Sequence, residues 1–162
     1  MREIAREAGY TTGVLTHYFR DKRELIAFAF GLVVERSTRR VTRLAEGGRL
    51  ADALAELLPL DEGRRRECTV WLVLMTASLR DPELAGELRQ RYGEARRAMA
   101  PVFAEALGAA SGGGANMEDV GDELLAAIDG LTVAALTDPE RYPPGRQVEL
   151  LRQTFVRLGL PL

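Results

Sequence analysis

The chain has 162 residues, 46% of them hydrophobic, and one cysteine, Cys68. That is enough for a compact domain, or a small head on a larger body, with a real core. A single cysteine excludes an intrachain disulfide framework, and Cys68 reads as a small core residue. Net charge is −2 and by itself suggests no nucleic-acid partner, but it is unevenly spread. Residues 1–43 hold nine basic and five acidic side chains, whereas residues 44–162 hold thirteen basic and nineteen acidic ones. A basic head on an acidic body suits a chain that meets phosphate at one end only; a merely solvated basic helix face fits the charge equally well.

Helical periodicity recurs along the whole chain, and no segment alternates as a strand does. A first helix is expected over 2–8, with Ile4, Ala5 and Ala8 on one side, ended by Gly9. Thr11 or Thr12 caps a second over 13–19. Asp21 caps a long third helix from Lys22 to about Ala45, with Leu25, Ala29, Leu32 and Val33 tracing its inner face. A short helix over 49–58 ends at Pro59. The next, over 62–79, is apolar on nearly every side from Val70 to Leu79, which predicts central burial. After Asp81-Pro82 an amphipathic helix runs to about Leu107 on the stripe Leu84, Leu88, Tyr92, Ala95, Met99, with a kink expected at Pro101. Gly108 to Asn116 reads as a flexible loop. Helices over 118–136 and 146–158 close the chain.

The informative stretch is residues 4–22, a helix, a glycine turn and a short helix with small polar residues at its start. That is what a helix-turn-helix needs. Leu15 and Phe19 anchor the second helix from behind, and Thr11, Thr12, Thr16 and His17 face a major groove. His17 reads equally as a base or phosphate contact and as a solvated side chain. Ile4, Ala5, Ala8, Gly9, Gly13, Leu15, Tyr18, Phe19, Lys22 and Leu25 together resemble the helix-turn-helix signature of the TetR family of transcriptional regulators. The resemblance implies an all-α fold and no enzymatic activity. It makes 13–19 the recognition helix and sets Lys22 against DNA phosphate, so that Thr11, Thr12, Gly13, Thr16, His17, Tyr18 and Lys22 are the expected DNA contacts. Thr16 departs from the family, which very often has tyrosine there. The family also carries one more helix before the segment that opens at Met1, so the start is expected to lie downstream of the true one.

The body resembles the BetI-type subgroup, through Trp71 to Met75, Leu79-Arg80-Asp81-Pro82-Glu83-Leu84, Tyr92 to Arg97, Asp129-Gly130-Leu131 and the tail from Pro143 to Leu158. The implied organisation is an incomplete helix-turn-helix head over 1–43 and a ligand-binding and dimerisation bundle over 44–162. Trp71, Met75, Tyr92, Met99 and Phe103 are the candidate lining of a small-molecule cavity, although their spacing equally fits core packing. The effector is expected to be largely apolar or aromatic, because nothing among these lining residues is a concentrated charge; Asp52, Glu56, Asp61 and Glu62 read as solvated helix starts and faces and carry no catalytic role. Val120, Leu124, Ile128, Leu131, Val148, Leu151 and Phe155 are the expected dimer surface, in a four-helix bundle that sets two heads on a palindromic operator.

One histidine and one cysteine cannot make a metal site, no cofactor is implied, and no catalytic motif is visible. Met1 opens on Arg2, Glu3 and Arg6 rather than an apolar signal core, and the longest apolar run, Thr69 to Leu79, is about half of the ~20 residues that span a bilayer. A cytoplasmic homodimer, released from double-stranded operator DNA by a small molecule, is the expected protein. The competing reading is a dimeric helical ligand-binding module that no longer binds DNA.

Overall fold

The computed structural model describes residues 2–7, 9, 11–46, 49–108 and 117–160. Ile4 and Phe103 lie in helices but their side chains are outside the described set, as are Ala8 and the glycine-rich stretch 109–116. All regular structure among the described residues is helical: α1 (Arg2–Glu7), α2 (Thr12–Tyr18), α3 (Lys22–Ala45), α4 (Leu50–Ala55), α5 (Glu62–Ser78), α6 (Pro82–Gly108), α7 (Met117–Thr137) and α8 (Pro144–Arg157).

The helix ends follow from local chemistry. Gly9 takes φ +72°, a left-handed conformation that costs an L side chain but not glycine, so the chain turns at once from α1 toward α2. The Asp21 carboxylate accepts the Glu24 amide at 2.9 Å and Asp61 accepts the Arg64 amide at 2.9 Å, each satisfying an orphan donor. Those bonds hold both carboxyls below the usual aspartate range. Asp81 caps α6 by accepting the Leu84 amide at 3.1 Å. No basic residue stands in the last turn of α7. Arg65 reaches across from α5 instead and donates to the Ala135 and Leu136 carbonyls, both at 3.2 Å.

Several expected elements shift. The fourth helix stops at Ala55, because residues 56 to 58 tighten into i to i+3 hydrogen bonds ahead of Pro59. The inner face of α3 is centred on Ala27, Phe30 and Val41 rather than on Leu25, Ala29, Leu32 and Val33, which are half-buried. Residues 25–34 are apolar nearly all round, so periodicity there carries no phase. Helix α5 is not enclosed. It packs on α3, α6 and α7, buries Cys68 and Leu74, and leaves Val70 and Val73 exposed, as is Leu79 just beyond its end. Helix α6 runs on through Pro101.

Two apolar clusters hold the bundle. The larger joins Val41, the α4 residues Leu50 and Leu54, Leu58, Ala95, Met99, Leu124, Ile128, Leu151 and Phe155. The smaller gathers Phe30, Leu74, Leu84 and Leu88 with Trp71, Met75 and Tyr92 against it. Helix α3 enters both, through Val41 in one and Phe30 in the other. Truncation of the fully buried Phe30 to alanine is expected to cost about 3–5 kcal/mol in urea unfolding, the usual range for losing an enclosed phenylalanine. A loss below about 1 kcal/mol would show that α3 is not anchored there.

Candidate functional site

The head is small and stands apart from the core. Ala5 of α1 is buried, whereas α2 contains no buried residue. Leu15 and Phe19 are half-buried, and the Phe19 ring lies 5.3 Å from Phe28 of α3. Of the expected DNA contacts, Thr11, Gly13, Thr16, His17, Tyr18 and Lys22 are exposed and Thr12 is half-buried. Tyr18 is 72% exposed, and its ring meets that of His17 edge to face, with centroids 5.1 Å apart. The Thr16 hydroxyl is turned back to the Thr12 and Gly13 carbonyls, at 3.1 and 3.2 Å, so its proton is used inside the helix. Lys22 is the first residue of α3. Arg23 next to it ties α3 to the start of α6, pairing with Asp81 at 3.3 Å and with Glu83.

About 16 Å further along the same helix, at 1.5 Å per residue, α3 becomes the wall of a cavity of about 90 Å³. Val33, Val34, Ser37, Thr38 and Arg40 face it from α3, Cys68 and Trp71 from α5, Tyr92, Ala95 and Met99 from α6, and Ile128, Asp129 and Thr132 from α7. Of the expected lining residues, Trp71, Tyr92 and Met99 are on this wall. The Trp71 indole donates to the Tyr92 hydroxyl, and the Tyr92 ring leans on Phe30 with centroids 5.8 Å apart. Met75 lies instead in the smaller apolar cluster, and the Phe103 side chain is outside the described residues.

One side of the cavity is charged, which the sequence reading missed. Arg40 forks onto Glu67 of α5 with nitrogen–oxygen distances of 2.6 and 3.3 Å, and its Nε faces Glu56 at 3.2 Å. Arg64 links Glu56, at 2.8 Å, to Asp61, at 2.7 Å. Glu56 is therefore a half-buried bridge between two guanidiniums, not a solvated helix end. The hydrogen bond to Glu67 makes Arg40 hold its proton more tightly still. Asp129 is the other charge. Burial pushes its carboxyl up to about 6, against the pull of Arg96, and among the described residues no cation comes within ion-pair distance of it. Burial likewise raises the Tyr92 phenol and pushes the Cys68 thiol up to about 11, leaving Cys68 a neutral donor to the Leu57 carbonyl at 3.4 Å. No group of three or more His, Cys, Asp and Glu side chains among the described residues is placed to hold a metal ion.

The expected dimer surface divides in two. Leu124, Ile128, Leu151 and Phe155 are buried inside the chain's own core, because α7 and α8 must first close the bundle over α4 and α6. Val120, Leu131 and Val148 are half-buried. Among the described residues, Val133 at 37% and Val156 at 64% exposure are the large apolar side chains left open on these helices. A surface groove between α7 and α8 is lined by Ala127, Leu131, Leu150 and Thr154.

Comparison with known proteins agrees with this architecture. Residues 1–28 match the bacterial regulatory proteins of the tetR family, and residues 47–159 match the C-terminal region of BetI-type transcriptional repressors. The chain belongs to the TetR family: it is a DNA-binding transcriptional regulator, not an enzyme. It is 28% identical over 157 residues to the HTH-type transcriptional regulator PksA of Bacillus subtilis (strain 168), an alignment that covers 94% of this chain and 76% of PksA. A solved transcriptional regulator from Rhodococcus sp. Rha1 superposes with a TM-score of 0.82 at 30% identity, over 96% of this chain and 82% of that one.

Because Asp129 binds a proton more readily in the folded chain than in the unfolded one, it lowers stability at neutral pH. The penalty shrinks as pH falls through about 6 and is gone below the ordinary aspartate value of 3.8. Asp129→Asn is therefore expected to stabilise the protein at pH 7.5 by about 1–2 kcal/mol, after solvent screening, with a smaller gain at pH 5. Denaturant midpoints at the two pH values check the sign, and a destabilised variant would reverse it.

Proposed function

We propose that this regulator is a ligand-responsive repressor that acts in the cytoplasm as a homodimer on a palindromic operator. Helix α2 enters the major groove with Thr11, Thr12, Gly13, Thr16, His17 and Tyr18 toward the bases and sugar-phosphate edge. Lys22, at the positive end of α3, meets a phosphate. A small molecule enters the cavity behind α3 and releases the DNA. The observation that carries this reading is that one helix, α3, holds Lys22 at its first residue and the cavity wall from Val33 to Arg40. A ligand that prefers one setting of Arg40, Glu67 and Trp71 thereby prefers one position of the head, and that differential affinity is all that release requires.

Dimerisation is assigned to the outer faces of α7 and α8, with Val133, Val156 and the groove beside Leu131 and Leu150 meeting the same patch on a second copy. The matched description of residues 47–159 as a repressor region supports the direction of control.

The test is a fluorescence-anisotropy titration against duplex taken from the region upstream of the gene, repeated over a range of salt. Affinity is expected to fall steeply as salt rises, and Lys22→Ala to reduce the slope of log K against log salt by about 0.9, one phosphate contact. No sequence preference and an unchanged slope would contradict the groove assignment. For the dimer, light scattering is expected to give the mass of two chains for the wild type and of one for Val156→Asp, since a charge buried at a symmetric interface meets its own copy. A variant that stays dimeric would remove α8 from the interface.

A further inference from the structure

Among the described residues the cavity wall carries three arginines, Arg40, Arg64 and Arg96, and three carboxylates, Glu56, Glu67 and Asp129, but their pairing is uneven. Every arginine on its wall already has a carboxylate: Arg40 holds Glu67 and Glu56, Arg64 holds Glu56 and Asp61, and Arg96 is drawn to Asp122 at 2.5 Å. Asp129 is the wall charge left over among the described residues. It stands near Tyr92 and Cys68, both of whose protons its charge helps to hold, and it shares the wall with the Trp71–Tyr92 pair. A half-buried carboxylate without an ion-pair partner is costly, and the cost is recovered by whatever brings it an N–H donor with positive charge. Met99, Ala95, Val34 and Ile128 make up the apolar remainder. A water needs roughly 10–15 Å³ of such space, so 90 Å³ admits a compact organic body.

We propose that the effector is a small protonated primary or secondary amine, whose ammonium donates to the Asp129 carboxylate while its apolar part lies against Trp71, Tyr92 and Met99. This deepens the effector-cavity reading above and rests on it. A quaternary ammonium brings charge but no N–H, and a neutral or anionic ligand leaves Asp129 unpaired. The aromatic walls add cation–π attraction, which a charged amine uses and an alcohol does not. The expected apolar effector is thus replaced by an apolar body with one cationic, donating end.

The experiment follows quenching of Trp71, the single tryptophan, by three matched probes at pH 7.5: cyclohexylammonium, cyclohexanol and cyclohexyltrimethylammonium. Cyclohexylammonium is expected to bind about tenfold or more tighter than either of the others, the scale of one charge-assisted hydrogen bond. Asp129→Asn is expected to abolish that preference, bringing cyclohexylammonium affinity down to that of cyclohexanol measured in the same variant. The wild type gives an independent readout. The titratable and charged groups that share the wall with Asp129 are Arg40 of α3, Glu56 after α4, Arg64, Glu67 and Cys68 of α5, and Tyr92 and Arg96 of α6. With Asp129 protonated below about pH 6, amine affinity is expected to fall on acidification while cyclohexanol affinity holds. Cyclohexanol or the quaternary probe binding as tightly as the amine overturns the amine assignment and leaves the effector cavity standing. An amine preference that survives in Asp129→Asn also overturns it. Failure of all three probes to quench Trp71 overturns both this inference and the effector-cavity reading, without touching the DNA titration.

Discussion

The structure depends on α3 being pinned at two levels while serving two ends. Phe30 and Val41 are both fully buried, in different clusters, and lie eleven residues or about 16 Å apart along the helix. Between them runs the cavity wall, and beyond Phe30 the helix continues past buried Ala27 and the Arg23 pairs with α6 to carry Lys22. A rod held at two points and loaded between them cannot absorb a change in the cavity locally, because packed cores shift between discrete arrangements rather than deform smoothly. The head is the lightly held part: among the described residues α2 has no fully buried side chain, and it is tied to α3 by the Phe19–Phe28 contact and the exposed Arg20–Glu24 pair. Under the proposed coupling, movement is expected in the head, where resistance is lowest.

The ion network gives this arrangement its direction. Arg40 on α3 is bound to Glu67 on α5 and faces Glu56 after α4, and Arg64 ties Glu56 to the cap of α5. Arg40, Glu56, Glu67 and Arg64 are about three-quarters buried, so solvent screens them less than a surface pair and breaking one partner costs more. They add a directional constraint on the rotation of α3 to the one that burial of Phe30 and Val41 already sets. At the opposite end Arg23 repeats the device at the surface, joining α3 to Asp81 and Glu83, where solvent and salt weaken it. The body grips α3 firmly beside the cavity and loosely beside the head.

Much of this was legible in the sequence, and the residues that were not share a reason. Helix count, the Asp21 cap, the Gly9 turn and the α6 stripe from Leu84 to Met99 all follow from short-range signals, and the head motif rests on spacing within nineteen residues. The phase of α3 was hidden, because an apolar run without polar interruptions does not say which side is inward. The charged wall was hidden because its pairs are distant in sequence: Arg40 meets Glu67 across 27 positions, and Asp129 acquires its character from burial among α3, α5 and α6. Leu124, Ile128, Leu151 and Phe155 looked like surplus apolar surface. Periodicity cannot distinguish a helix face that meets its own chain from one that meets another.

The most direct test of the coupling is hydrogen exchange along α3 with and without bound operator duplex, followed peptide by peptide. If α3 transmits, the duplex alters exchange not only over residues 11–24 but also over 33–41 and the facing segment 64–71, far from any phosphate. Linkage then requires that a ligand acting on that wall alter duplex affinity by the same free energy. Changes confined to the head and the first turn of α3, with the cavity wall untouched, would contradict the account.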